Sequence, residues 1–230
     1  MILKNDIVSK KDLAIFDIDG TLVKYNTLEA LVKEALRIYG IEDKDEYVKA
    51  QIKGVFLALK FSERVSDFNF ERLCNSWQKS MPFLKEFGVD VKDFAHTMLH
   101  LETFYMEKIP KVKETLSTIE QIKVCSTNWL FYRQKIKLYE AGIDKDFSNI
   151  YTCEKTYAKP NPEHFRYILA KEDVFPTSAV MIGDGIVDLA SSRAGIDSIL
   201  VDYDENKQKL YNDAIAVVTE FSDIARILKR

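Results

Sequence analysis

Four short stretches of this 230-residue chain carry side chains that could do chemistry together. The first is Asp17-Ile18-Asp19-Gly20-Thr21, two carboxylates one residue apart followed by a glycine. Carboxylates held that close repel each other, so a cation is their natural third partner. The second is Ser126-Thr127-Asn128, hydroxyls and an amide just ahead of a helical pattern whose first N–H groups favour anions. In the third, Lys159 precedes Pro160, which stiffens the backbone so that the ammonium can be aimed. The fourth, Gly183-Asp184-Gly185-Ile186-Val187-Asp188, offers two more acids one helical turn apart. Each stretch has a plainer reading as a turn, a helix cap or a solvated charge. Only their joint placement argues for a site.

That placement follows from the elements around them. Leu13 to Phe16 is apolar on both alternating faces, too short for a helix and closed by Gly20, the pattern of a buried parallel strand opening into a loop. Ile122 to Cys125 and Ala179 to Ile182 repeat the pattern, and Ile150 to Thr152, Ile199 to Val201 and Ile215 to Val218 read as further strands. Helical spacing lies between them: Lys111 to Ile119, Leu130 to Ala141 closed by Gly142, and Pro162 to about Lys171 with Asn161 as N-cap. Val187 to Ala194, Glu205 to Tyr211 and a last stretch from Phe221 complete the series. Alternating strands and helices predict an α/β fold, a doubly wound parallel sheet that brings all four polar stretches to its carboxyl edge.

One segment breaks the alternation. From about residue 26 to 106 the pattern is helical throughout, beginning with a capping box at Asn26 and Glu29 and continuing over Tyr47 to Lys60, Phe70 to Met81 and Val91 to Met106. A single crossover needs far fewer residues, so this segment predicts a separate helical subdomain. The expected division is 1–25 with 107–230 for the sheet domain and 26–106 for the insert, with hinges near Lys24 to Asn26 and Lys108 to Lys111. Its aromatics, Phe56, Phe61, Phe68, Phe70, Trp77, Phe83, Phe87, Phe94, Phe104 and Tyr105, are expected mainly to fill a small core. His96 and His100 share a helix face, but the residues between them lack the glutamate of a zinc-peptidase motif.

At 47% hydrophobic the chain can bury a full core. A net charge of −3 with dispersed lysines leaves no electrostatic footprint for nucleic acid. No apolar stretch has the length of a signal peptide or a membrane span, which predicts a cytoplasmic protein. Cys74, Cys125 and Cys153 fit neither a disulfide framework nor a CxxC metal site and are expected to be reduced, with Cys125 buried.

In order and spacing, the four stretches resemble the four motifs of the haloacid dehalogenase superfamily. The likeness covers nearly the whole chain, and the helical insert between the first two motifs is similar to the C1 cap of the phosphoglycolate phosphatase and β-phosphoglucomutase branch. Two positions depart from that branch: Gly185, where Ser or Thr is common, and Ala158, where Gly is frequent. The resemblance implies a Rossmann-like core and a Mg²⁺-dependent phosphatase acting on a small phosphorylated metabolite. It implies Asp17 as the nucleophile that forms an aspartyl-phosphate and Asp19 as general acid and base. It places Mg²⁺ on Asp17, the backbone carbonyl of Asp19 and Asp184, with Asp188 supporting the metal or Lys159. It assigns the substrate phosphate to Thr127, the Asn128 N–H and Lys159, with Ser126 as the second choice of hydroxyl. Dehalogenases proper lack the second acid, so Asp19 points to phosphate chemistry. A sugar phosphomutase is the nearest alternative. Further off are a non-catalytic scaffold and a phosphonate hydrolase with a Schiff-base lysine among Lys33, Lys49, Lys53 and Lys60. The oligomeric state stays open.

Overall fold

The computed structural model describes residues 2–3, 10–25, 28–60 and 68–229. The chain divides into two compact units, residues 1–24 with 108–230, and residues 25–107.

In chain order the elements are β1 (Ile2–Leu3), β2 (Leu13–Phe16), β3 (Val23–Tyr25), α1 (Leu28–Ile38), α2 (Asp45–Lys60), α3 (Phe70–Ser80), α4 (Phe83–Glu86), α5 (Val91–Phe104) and β4 (Met106–Lys108). They continue as α6 (Val112–Leu116), β5 (Ile122–Thr127), α7 (Phe131–Ala141), β6 (Asn149–Thr152), α8 (Pro162–Glu172), β7 (Ala179–Gly183), α9 (Ile186–Leu189), β8 (Asp197–Val201), β9 (Ala216–Val218) and α10 (Ser222–Leu228).

The first unit is built on a sheet ordered β1-β9-β8-β7-β2-β5-β6, parallel throughout except for β1, which runs antiparallel to β9. β2 lies inside it, paired with β5 on one side and β7 on the other, which is why all four of its residues are apolar and buried. Register decides what its end presents. Phe16 stands opposite Cys125 on β5 and Ile182 on β7, so Asp17 leaves β2 level with Ser126 and Gly183, which still belong to the neighbouring strands. From β2 the chain first builds outward through β5 and β6, then returns to build β7, β8 and β9 on the other flank. The crevice of a doubly wound sheet lies at such a reversal.

Helices pack on the sheet through apolar side chains, as where Phe165, Ile168 and Leu169 of α8 meet Leu13, Ile15, Val124 and Met181. Asn161 caps α8 by accepting from the N–H of Glu163 at 3.0 Å, and Pro162 takes the first helical position. Gly142 ends α7 in the left-handed region at φ 74°.

In the helical unit, Trp77 of α3 meets Phe94 of α5 edge to face at 6.2 Å. Gly54 lets α2 approach α3, since a Cβ there would lie 2.3 Å from Trp77 Cδ1. Phe68, Trp77, Phe83 and Phe94 are buried as expected, but Phe87 and Phe104 are exposed. His96 lies against the ring of Phe70. The expected capping box at Asn26 and the position of Phe61 lie outside the described residues.

Several boundaries differ from the sequence expectation: the helix expected at 111–119 is confined to Val112–Leu116, and that expected at 187–194 is α9 followed by a 3₁₀ segment at Ala190–Ala194. α5 stops at Phe104, and Met106–Lys108 instead forms β4, which pairs with β3 where the chain passes from one unit to the other. β5 extends to Thr127, because Ser126 and Thr127 still pair with Tyr151 and Thr152 of β6. The expected helix at 205–211 is a 3₁₀ turn at Gln208–Asp213, since the Asp202 carboxylate accepts the N–H groups of Asn206 and Lys207 and turns the chain first. Cys74, Cys125 and Cys153 are buried and free, and among the described residues no helix is long and apolar enough to cross a membrane.

Candidate active site

Asp17 follows the last residue of β2, and its backbone N–H is held by Ile182 O at 2.9 Å. The turn after it closes when the N–H groups of Leu22 and Val23 bond to Ile18 O. Gly20 serves this turn twice. Its φ of +88° suits glycine, and any Cβ would lie 2.6 Å from Asp184 Oδ2. Gly183 does the same for Asp188, whose side chain occupies the space a Cβ would take. Missing side chains therefore allow the first and fourth motifs to meet. Asp17, Asp184 and Asp188 come together there, each offering an oxygen within 4.8 Å of the others.

Lys159 holds this group electrically. Its Nζ donates to Asp17 Oδ1 at 2.7 Å, Asp188 Oδ1 at 2.6 Å and the Ser126 carbonyl at 3.0 Å. Burial pushes the Asp17 carboxyl well above its ordinary range; Lys159 pulls it down, and Asp188 and Asp184 push it up again. Burial also works against the charge on Lys159, but Asp17 and Asp188 outweigh it and keep the ammonium protonated beyond its ordinary range. Asp184 is raised by burial too, against the pull of Lys207, whose Nζ donates to Asp184 Oδ2 at 2.8 Å. Asp188 Oδ2 accepts from the Gly185 N–H at 3.1 Å, so the missing hydroxyl at position 185 leaves a backbone donor in use.

Behind Lys159 the second and third motifs are clasped. Asn128 Nδ2 donates to Lys159 O at 2.7 Å, and Asn128 Oδ1 accepts from Lys159 N at 2.7 Å. The Asn128 side chain thus fixes the lysine backbone. The Ser126 hydroxyl is fully buried and bonds His164 Nε2 at 2.8 Å, while His164 Nδ1 lies 2.6 Å from Tyr157 O. A carbonyl can only accept, so Nδ1 carries the proton and Nε2 accepts from Ser126. Burial depresses His164 to about 3, which keeps the ring neutral.

Asp19 faces other partners. Its Oδ2 accepts from Gln134 Nε2 at 2.5 Å and its Oδ1 pairs with Lys137 Nζ at 2.7 Å. Gln134 Nε2 also reaches Thr127 Oγ1 at 3.1 Å. Gln134, Lys137 and Lys207 lie outside the four motifs. For the first two a signal existed: at four and seven residues after Leu130 they fall on the stripe of α7 that Leu138 also occupies, where apolar side chains are the rule. Lys207 sits in a loop with no period to betray it.

An all-oxygen set of three carboxylates, two of them at strand ends, matches the donors that Mg²⁺ prefers. The cradle formed where Gly20 and Gly183 lack side chains brings them close enough to share one ion. Beside it, Lys159 and the hydroxyl of Thr127 offer a cation and a neutral donor to an anion.

The family model for haloacid dehalogenase-like hydrolases matches residues 11–195. The chain is 26% identical over 228 residues to the pyrophosphatase PpaX of Oceanobacillus iheyensis, covering 93% of this chain and 95% of that protein. Magnesium-bound YfnB of Bacillus subtilis has the same fold, with a TM-score of 0.74 at 19% identity over 96% of this chain and all of that one. L-2-haloacid dehalogenase of Xanthobacter autotrophicus, with chloropropionic acid covalently bound, follows at a TM-score of 0.68 and 14% identity over 95% of this chain and 98% of that one. With four motifs at one sheet edge and a family match running through all of them, the chain belongs to the haloacid dehalogenase-like hydrolases.

Proposed function

We propose that the protein is a Mg²⁺-dependent phosphatase that hydrolyses a small phosphomonoester through an aspartyl-phosphate on Asp17. The observation that carries this reading is Asp17 itself. One carboxylate is shared between the three-acid group and the Lys159 ammonium, and a second acid stands two residues on. A nucleophile so placed meets its substrate between two centres of positive charge, which is what the equatorial oxygens of a transferring phosphoryl group require.

Asp17, Asp184 and the Asp19 carbonyl would hold the metal, with Asp188 supporting it through Lys159; bound there, the ion supplies charge neutralisation for the phosphoryl oxygens. The remaining steps belong to the chain. An Asp17 oxygen attacks phosphorus, and the bond to the ester oxygen breaks as Asp19 gives that oxygen its proton. Asp19, now a carboxylate, takes a proton from the water that attacks the same phosphorus, releasing inorganic phosphate and restoring Asp17. Thr127, the Asn128 N–H and Lys159 bind the phosphate; the Ser126 hydroxyl, already engaged by His164, is left out. Choice of leaving group falls to the helical insert, 26–106. PpaX adds pyrophosphate to the substrates worth trying.

The test is phosphate release from phosphorylated sugars, nucleotides, glycolate, amino-acid esters and pyrophosphate with Mg²⁺. Release should cease with chelator and in Asp17→Asn. No release from any member of the panel in the presence of Mg²⁺ would sink the reading.

A further inference from the structure

Asp19 is expected to work twice on protons, yet nothing in its own motif fixes where its carboxylate points. Two residues of α7 do so. Gln134 and Lys137 lie three apart on one helix face and take one carboxylate oxygen each, at 2.5 Å and 2.7 Å. Both are buried, Lys137 to within 3% of full enclosure, so their geometry is set by packing. The amide of Gln134 has only one workable orientation, because a carboxylate can accept and cannot donate. Its two hydrogens go to Asp19 Oδ2 and Thr127 Oγ1. Thr127 therefore accepts from Gln134 and keeps its own hydroxyl hydrogen for another acceptor.

We propose that Gln134 and Lys137 are positioning residues: they aim the Asp19 carboxyl for proton transfer, and Gln134 turns the Thr127 hydroxyl into a donor for the substrate phosphate. This rests on the phosphatase reading above. A carboxylate has about four lone-pair sites. Two are used here, leaving one on each oxygen for the proton that Asp19 must carry. Lys137 also offsets the repulsion between Asp19 and an arriving phosphate dianion. Misplacement of a catalytic group by about 1 Å can cost roughly 10²-fold in rate, so loss of either anchor should be visible.

The leaving group supplies the test. An alkoxide needs the proton from Asp19 to depart, whereas nitrophenolate leaves with little help. For Lys137→Met and Gln134→Met, kcat/KM should fall by about 10²-fold on an alkyl phosphate and by less than about 5-fold on 4-nitrophenyl phosphate. Lys137→Arg, which restores the charge, should recover most of the loss. Circular dichroism melts accompany each variant, and Gln134→Met carries the test if Lys137→Met does not fold. Equal losses on both esters, or no loss on either, overturn the proposal while the phosphatase reading stands. The alkyl phosphate is taken from the substrates of the panel above, and a wild-type protein that turns over none of that panel nor 4-nitrophenyl phosphate overturns the phosphatase reading and this proposal together.

Discussion

Replacing Lys159 with methionine removes the ammonium that touches both Asp17 and Asp188 and leaves a side chain of similar volume in its place. The lysine is 2% exposed and the two carboxylates 10% and 2%, so water cannot step in for the missing charge. Breaking a buried ion pair from one side costs about 3–5 kcal/mol, a large share of the 5–15 kcal/mol that typically separates folded from unfolded states. Urea unfolding at pH 7 in chelator should show that loss. Acidification should then shrink it. A carboxyl whose folded pKa is raised binds a proton in the native state that the unfolded chain does not hold, so stability rises as pH falls through that range, by about 1.4 kcal/mol per pH unit for one proton. Asp17 is already pushed up by burial, and losing Lys159 removes the main influence holding it down. His164 adds an opposite slope in both proteins, and since the Lys159 charge helps to depress the ring, that slope is no larger in the variant. Mg²⁺ offers a second route to relief: at 100 times its Kd a ligand adds about 2.7 kcal/mol, and the variant, lacking its internal cation, should gain more than wild type. A Lys159→Met protein within about 1 kcal/mol of wild type in chelator at pH 7 would refute the claim that this lysine holds the acid cluster together.

Two further outcomes follow from the hydrogen bonds behind the cluster. His164 is buried neutral with its pKa depressed to about 3, so the unfolded chain binds the extra proton as pH falls below about 6.5 and stability declines with it. Between pH 6.5 and 5 wild type should lose about 1.7 kcal/mol more stability than His164→Gln, as read by urea midpoints; identical slopes would remove the buried neutral ring from the account. Asn128→Ala loses both bonds to the Lys159 backbone, which should cost about 1–3 kcal/mol and about 10²-fold in phosphate release, whereas unchanged turnover would mean that Lys159 is aimed by other contacts.

How much of this was legible in the sequence depends on how far each residue's role is set by its own chain neighbours. Leu13 to Phe16 announces a central strand because a strand buried on both faces must be apolar at every position. Once several such runs alternate with helices, a parallel sheet and a common edge for their ends follow. Met106 to Lys108 gives no such sign, since its strand exists through pairing with β3, some eighty residues earlier. The site divides along the same line. Asp17 and Asp184 are visible because each follows a strand with a strong local pattern, Asp188 because it stands one helical turn beyond Asp184, and Lys159 because it precedes Pro160 and the capped start of α8. Gln134, Lys137 and Lys207 are invisible as partners, because what they do depends on which acid stands opposite. Asn128 and Ser126 show the subtler case: their motif is readable, but the side chain of one fixes the Lys159 backbone and the hydroxyl of the other is taken by His164. Local pattern thus locates the charges, while the directions in which they point are set by polar residues on helices and loops that the sheet brings alongside. A change of chemistry on this fold therefore need not touch the acids at the strand ends. Altering Gln134 or Lys137 would remove the bonds that hold the Asp19 carboxylate, and it would leave the group of Asp17, Asp184 and Asp188 with its Lys159 contacts as it is.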